Sequence, residues 1–294
     1  MSLPNLKVWF LAIRPKTLTA AISPVLIGTS IAFGDGIHHF PTAFICLLAA
    51  LTIQIGTNLA NDYFDFKNGA DTAERLGPTR VTQAGLIKPQ KVLLATFLTF
   101  TISAICCLLL FQRGGMPIVI IGVLSILSGI FYTAGPKPLG YLGLGDLFVL
   151  IFFGPVAVGG TYYVQSYEIN PAVILAGFAP GLISVAILAV NNLRDADSDQ
   201  KSGKKTLAVR FGKTFARYEY AYAIVIAALF PIILYHYMED HLPILFSSFI
   251  ILLAVPAIKT VFTMDNGPSL NHALAFTGKL LLIYSLSFSI GWIV

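Results

Sequence analysis

Residues 92–111 read VLLATFLTFTISAICCLLLF, a run of 20 residues without a charged side chain. Apolar residues face every side of a helix built from this run, whereas the strands of a membrane barrel alternate apolar and polar residues. A helix of this length rises about 30 Å, which matches the hydrocarbon thickness of a bilayer. The run is therefore predicted to be a transmembrane helix.

The composition of the whole chain agrees with membrane insertion. Of its 294 residues, 56% are hydrophobic and 11% are charged, whereas a soluble domain has roughly 25% charged residues. So few charges cannot cover a surface that faces water, which excludes a soluble globular protein. We predict an all-α polytopic membrane protein, a bundle of nine transmembrane helices in a single domain over residues 1–294. The predicted spans are 17–34, 40–60, 92–111, 118–134, 147–164, 171–191, 220–238, 242–262 and 276–294.

The positive charges predict the orientation of this bundle. All but two of the 19 Lys and Arg residues, Arg113 and Lys279, fall in the amino-terminal segment and in alternate loops. Lys and Arg are retained on the cytoplasmic side of a membrane. We therefore expect the amino terminus and the two long loops to be cytoplasmic, and nine crossings to leave the carboxyl terminus outside.

Half of the acidic residues fall in two short segments, 58–75 and 191–205, each at the predicted cytoplasmic end of an apolar span. In each segment an Asn and two Asp residues recur at spacings of three or four, which places them on one face of a helix. The two faces are predicted to look at each other across the bundle. They consist of Asn58, Asp62 and Asp65 in the first segment and of Asn191, Asp195 and Asp199 in the second.

Carboxylates stacked on one face repel each other, and more strongly near a membrane than in water. Carboxylate and amide oxygens without His or Cys suit Mg²⁺, which is commonly held between carboxylates and substrate phosphates. Interleaved basic residues would bind the remaining phosphate charge. The pattern predicts a Mg²⁺-dependent diphosphate site with basic residues at Lys67, Arg75, Arg80, Arg194, Lys204 and Lys205.

A diphosphate site at the surface of an apolar bundle indicates a substrate with a diphosphate head and a hydrocarbon tail. Mg²⁺ and basic side chains would stabilise the departing diphosphate and leave an allylic cation on a prenyl chain. The bundle would supply a dry groove for the chain and keep water from the cation. An electron-rich acceptor would then attack.

With these motifs the chain resembles the UbiA superfamily of intramembrane prenyltransferases, which attach polyprenyl chains to aromatic acceptors. The match runs nearly end to end and includes NLANDYFD at 58–65 and DADSD at 195–199. Further segments are similar to the bacterial branch that prenylates 1,4-dihydroxy-2-naphthoate in menaquinone biosynthesis. They are RPKTL at 14–18, GPTRVTQAGL at 77–86, YTAGPKPLGYLGLGD at 132–146 and TLAVRFG at 206–212.

The resemblance implies that a prenyl chain from polyprenyl diphosphate replaces the acceptor carboxylate, giving demethylmenaquinone, diphosphate and CO₂. It implies a bacterial inner-membrane enzyme whose active site is cytoplasmic and whose partners are the two substrates and the bilayer, without nucleic acid. It also implies roles for individual residues. The catalytic Mg²⁺ ligands would be Asp62, Asp65, Asp195 and Asp199, and Asp71 would be a further ligand. Lys137 would be a further catalytic residue. The substrate-binding residues would be Asn58, Asn61, Arg80, Tyr132, Asn191, Asn192, Arg194, Lys204 and Lys205.

Two alternatives stay open from the sequence. Another aromatic acceptor, such as 4-hydroxybenzoate, would keep the same mechanism. A cation-coupled transporter could also carry paired acidic motifs in two similar halves. Transport carboxylates lie near the bilayer midplane, whereas these clusters lie at the cytoplasmic ends of their spans, so the sequence favours the enzyme.

Overall fold

The computed structural model describes residues 6–70 and 76–294. Within these described residues the regular secondary structure consists of α-helices and 3₁₀ helices, and there is no β-strand. The prediction of an all-α fold is confirmed. The α-helices are α1 (Leu6–Ile13), α2 (Thr19–Gly34), α3 (Phe40–Lys67), α4 (Pro89–Phe131), α5 (Gly145–Phe152), α6 (Pro155–Ser166), α7 (Pro171–Lys201), α8 (Leu207–Phe211), α9 (Lys213–Met238), α10 (Ile250–Thr263) and α11 (Gly267–Ile293).

Several of these helices are long and apolar enough to cross a membrane. The described residues contain seven such helical segments, or up to eight if the bent pair formed by residues 6–17 and α2 counts as one span. Two of the segments join neighbouring elements: α5 with α6, and the 3₁₀ helix Leu242–Phe249 with α10. The chain is therefore a multi-pass membrane protein.

The spans predicted at 92–111 and 118–134 both fall within α4, a helix of 43 residues. Its helical conformation is interrupted at Gly115, which has a φ of 56°. Beyond this break, Gly122 packs so closely on Cys107 that a Cβ at Gly122 would clash with the Cys107 Sγ. In a straight helix these two residues would stand about 22 Å apart. The two halves of α4 therefore fold back against each other.

Helix α7 forms the centre of the bundle. In its most apolar stretch of 18 residues, 67% of the residues are buried, against 33–50% in the corresponding stretches of the other candidate spans. It packs against α2, α5, α6, α9 and α11, while α3 packs mainly on α4. The approach to α6 is close because Gly177 has no side chain: a Cβ there would lie 2.6 Å from the Pro155 Cα. This close packing anchors the amino-terminal half of α7.

Large apolar side chains are exposed around the outside of the bundle. Examples are Leu108 on α4, Leu229 on α9 and Leu252 on α10, each more than one third exposed. A soluble protein seldom exposes so much contiguous apolar surface. These faces suit contact with lipid chains.

Candidate active site

Both acidic clusters lie in the last turns of long helices. Helix α3 continues to Lys67 and α7 to Lys201, so each predicted Asn and Asp face is helical. The two helix ends line one cavity of about 360 Å³. Its polar end includes Asn58, Asn61, Asp65, Arg80, Tyr132, Asn191, Asn192, Asp195, Asp199 and Lys204, and its apolar part includes Val25, Leu110, Ile118, Phe148, Phe152 and Val156.

Asp65 connects three segments of the chain. Its Oδ2 accepts a hydrogen bond of 3.2 Å from Arg80 Nη2, and its Oδ1 accepts one of 3.2 Å from the Tyr141 hydroxyl. The Lys204 ammonium lies 3.3 Å from Asp65 Oδ1 and 3.7 Å from Asp199 Oδ1. The carboxylates of the two clusters therefore converge on one cation.

Tyr141 belongs to the loop between α4 and α5, and the spacing of the acidic motifs does not point to it. Burial raises the pKa of Tyr141, and the negative charge of Asp65 raises it further. Tyr141 therefore keeps its proton at neutral pH and donates a hydrogen bond to Asp65. Its ring also lies under the Lys204 ammonium, 5.0 Å from ring centroid to Nζ. The sequence draws attention to the segment 132–146 that contains Tyr141. Sequence spacing does not reveal which tyrosine of this loop reaches α3.

Asp62 lies one turn before Asp65 and faces a different segment. Its two oxygens accept hydrogen bonds from the backbone N–H groups of Val81 and Thr82, at 3.1 and 2.9 Å. Asp62 is 1% exposed and does not line the cavity. Its carboxylate holds the turn that carries Arg80, and so it fixes the position from which Arg80 reaches Asp65.

Arg194 and Asp195 form a buried pair. The Arg194 Nε and Nη2 atoms donate to the two Asp195 oxygens at 2.8 and 2.6 Å, in a fork that matches the carboxylate. Arg194 also donates to Asn191 Oδ1 at 2.7 Å and to Asn271 Oδ1 at 2.6 Å. The guanidinium does not line the cavity, whereas Asp195 and Asn191 do. Arg194 therefore positions these two side chains from behind.

The remaining predicted residues occupy different positions. Asn58 donates to the Ile13 carbonyl at 2.9 Å, and Asn61 accepts from Thr133 Oγ1 at 2.9 Å. Lys205 is exposed and lies outside the cavity lining, and Lys137 lines a separate shallow groove. Asp71 lies outside the described residues. Within 6–70 and 76–294, no three His, Cys, Asp or Glu side chains are placed to hold a metal ion by themselves.

The sequence matches a family model described as the UbiA prenyltransferase family over residues 21–285. In an alignment of 307 positions it is 35% identical to the 1,4-dihydroxy-2-naphthoate octaprenyltransferase of Haemophilus influenzae. The alignment covers 99% of this chain and 97% of that protein. It is 39% identical over 244 residues to the Escherichia coli protein of the same name, covering 80% of this chain and 78% of that one.

The fold is similar to those of solved structures. One is described as a UbiA homolog from Archaeoglobus fulgidus bound to GPP and Mg²⁺, with a TM-score of 0.69, 15% identity and coverage of 97% of this chain and 99% of that one. Another, of a homolog from the same organism bound to DMAPP and Mg²⁺, has a TM-score of 0.67, 17% identity and coverage of 97% and 98%. At these identities the comparison establishes a shared fold.

Proposed function

We propose that this chain, which belongs to the UbiA prenyltransferase family, transfers a polyprenyl chain from polyprenyl diphosphate to 1,4-dihydroxy-2-naphthoate. The products would be demethylmenaquinone, diphosphate and CO₂. The observation that carries the proposal is a cavity lined by both acidic clusters at a polar end and by apolar side chains elsewhere. Relatives that carry the name of this activity, and that match most of the chain, support the choice of acceptor.

The donor set fits Mg²⁺. Asp65 of α3 and Asp199 of α7 both lie within 4 Å of the Lys204 ammonium, so the two carboxylates already share one positive charge. Oxygen donors from two helices, completed by substrate phosphates, are the usual environment of protein-bound Mg²⁺. We assign Asp65, Asp195 and Asp199, which line the cavity, as residues that would bind Mg²⁺ together with substrate phosphates. The Mg²⁺ named in the descriptions of homologous structures supports the choice of metal. When bound, Mg²⁺ would neutralise charge on the leaving diphosphate.

The residues around the carboxylates would bind and position the diphosphate. Arg80 and Lys204 line the cavity and carry the positive charge there. Asp62 acts on the reaction through the turn that holds Arg80, and Arg194 acts through Asp195. In this proposal Asp62 and Arg194 are positioning residues, although each Asp62 oxygen retains a lone pair that a metal could use.

The apolar part of the cavity would accommodate the beginning of the prenyl chain. Phe148, Phe152 and Val156 line it from the α5–α6 side, and Val25 and Ile118 line it from α2 and α4. These side chains exclude water from the head of the chain, where positive charge develops as diphosphate departs. Tyr132 lines the polar end of the cavity, which suits contact with the aromatic acceptor.

We further propose nine crossings of a bacterial inner membrane. Nine are obtained if the two halves of α4 count separately and the bent pair of residues 6–17 and α2 counts as one. By the positive-inside rule we expect the amino terminus and the acidic clusters in the cytoplasm and the carboxyl terminus outside.

The proposed function is tested by transfer from a radiolabelled polyprenyl diphosphate in the purified protein. We would offer 1,4-dihydroxy-2-naphthoate and 4-hydroxybenzoate separately, each with Mg²⁺ and with EDTA. Mg²⁺-dependent labelling of the naphthoate alone is expected. Labelling of the benzoate instead would contradict the acceptor, and recovery of intact diphosphate with both acceptors would contradict the enzyme.

A further inference from the structure

Helix α4 carries an outward-facing stripe of residues at its carboxyl-terminal end. The stripe consists of Leu124, Leu127, Ser128 and Phe131, whose spacings of three and four place them on one face of the helix. Gly129 lies on the opposite face, where a Cβ would clash with a threonine hydroxyl of α3. The three large apolar side chains of the stripe are 41–50% exposed. The stripe therefore faces away from the bundle, on the side where lipid would lie.

The loop that follows α4 closes one end of this stripe. The Leu139 backbone N–H donates to the Phe131 carbonyl at 2.9 Å, which returns the loop to the last turn of the helix. Lys137 stands between two prolines, whose rings restrict the backbone on either side of it. The stripe and the loop together line a shallow groove of about 350 Å³, separate from the active-site cavity.

Lys137 gives this groove a positive charge. Among the described residues that line the groove, Lys137 is the one with a charged side chain. It is exposed, and none of the hydrogen bonds or ion pairs of the described part of the chain involves its side chain. The groove therefore combines an available cation with an apolar surface.

The cation lies at the same end of the bundle as the acidic clusters. The loop that carries it is bound to the end of α3 at two points. The Tyr141 hydroxyl donates to Asp65 at 3.2 Å, and Asn68 Nδ2 donates to the Thr133 carbonyl at 3.2 Å. From this end the apolar stripe extends about 10 Å along α4, toward the middle of the membrane-spanning region.

We propose that this groove binds an anionic phospholipid, with the lipid phosphate on Lys137 and the beginning of an acyl chain along the α4 stripe. Lysine binds phosphate as a point charge, and basic side chains near a membrane surface attract anionic lipids. A zwitterionic lipid offers the same acyl chains without a net charge, so Lys137 sets the preference between the two. Ser128 lines both the groove and the active-site cavity, so the bound lipid lies against the wall of the cavity.

Native mass spectrometry of the purified full chain in detergent tests the proposal, with phosphatidylglycerol as the anionic probe and phosphatidylcholine as the zwitterionic one. Lys137→Gln removes the cation, and Lys91→Gln is the matched control, because Lys91 is an exposed lysine of α4 outside the groove lining. Leu127→Trp fills the stripe and keeps the cation. Its control is Leu108→Trp, since Leu108 is exposed on the other half of α4. The unfolding temperature would verify that each variant is folded.

The wild-type protein is expected to prefer phosphatidylglycerol. Lys137→Gln should weaken its binding about fivefold and leave that of phosphatidylcholine within about twofold, whereas Leu127→Trp should weaken both. The two control variants should bind both lipids as the wild type does. Equal wild-type affinity for the two lipids, or an equal loss in Lys91→Gln, would overturn the proposal. Excess geranylgeranyl diphosphate should leave phosphatidylglycerol bound, and its displacement would assign the groove to a prenyl chain instead.

Discussion

The Lys204 ammonium lies 3.3 Å from Oδ1 of Asp65, so a lysine that follows the second acidic cluster is paired with an aspartate of the first. The same ammonium lies 3.7 Å from Asp199, whose carboxylate would otherwise repel that of Asp65. Lys204 therefore connects the ends of α3 and α7 at the polar end of the cavity. A metal ion shared by the two carboxylates would compete with it for the same oxygen atoms.

Replacing Lys204 tests this competition. In Lys204→Met the carboxylates lose a positive neighbour, so Mg²⁺ should bind several-fold more tightly in the absence of substrate. Mg²⁺-dependent shifts of the unfolding temperature in detergent would measure the affinity. KM for the polyprenyl diphosphate should rise about tenfold, because a charge-assisted contact is lost. Lys213→Met removes an exposed lysine that pairs with Asp197, and it should change neither quantity. Unchanged Mg²⁺ affinity in Lys204→Met would exclude the competition.

Asp65 is expected to be essential for turnover. Asp65→Asn keeps the shape of the side chain but removes the charge that Arg80 and Lys204 pair with, so kcat should fall by at least about 100-fold. Asp197→Asn is the matched control, because Asp197 lies in the second cluster but its side chain is 77% exposed. A radiolabel assay on both purified variants would compare them. Equal activities would remove Asp65 from the site.

Asp62 and Asp65 should differ in how their loss affects the reaction. Asp62→Asn places an amide donor opposite one of two backbone N–H groups and disturbs the turn that holds Arg80. We expect KM for the polyprenyl diphosphate to rise about tenfold at an unchanged Mg²⁺ optimum. Titrating Mg²⁺ at saturating substrate would measure the optimum. A shifted optimum would instead identify Asp62 as a metal ligand.

Replacing Arg194 should lower the stability of the protein, whereas replacing a residue that only contacts substrate should not. Arg194→Met removes the guanidinium that donates to both oxygens of the buried Asp195, and breaking a buried ion pair typically costs about 3–5 kcal/mol. The unfolding temperature in detergent should fall markedly, and less folded protein should be recovered. Arg217→Met, which breaks an ion pair with the exposed Asp265, should have a small effect. A stable Arg194→Met protein with only a raised KM for diphosphate would contradict the positioning role.

The packing of α6 on α7 leaves no space for a side chain at Gly177. A Cβ there would lie 2.6 and 2.7 Å from backbone atoms of Pro155, which cannot rotate away. Gly177→Ala should therefore destabilise the protein by about 1–3 kcal/mol. Gly160→Ala is the control, because its nearest neighbours would be side-chain atoms at 3.7 and 3.8 Å. Thermal unfolding would compare the two, and similar unfolding temperatures would refute the account of this contact.

Helical periodicity was sufficient to predict the faces of α3 and α7. Asn and Asp residues at spacings of three and four must share a face, and the long apolar runs before them require membrane helices. The partners of each side chain depend on loops, which periodicity does not describe. Asp62 contacts Val81 and Thr82 because residues 80–82 pass beside α3. Arg194 pairs with its neighbour Asp195, although adjacent residues on a helix usually point apart.

The break within α4 shows another limit of sequence patterns. The apolar runs on either side of residues 112–117 correctly indicated two apolar segments. Periodicity could not indicate that helical structure continues up to Gly115 and resumes directly after it, with Gly122 packed against Cys107. That close contact depends on small residues from two turns that are distant in sequence.

Release of CO₂ from carboxyl-labelled 1,4-dihydroxy-2-naphthoate tests the central claim most directly. The purified protein would be given this acceptor with a polyprenyl diphosphate and Mg²⁺, and labelled CO₂ and prenylated product would be counted together. We predict one CO₂ for each chain transferred, and neither product in Asp65→Asn. A prenylated product that retains the label, or CO₂ released without transfer, would contradict the proposed reaction.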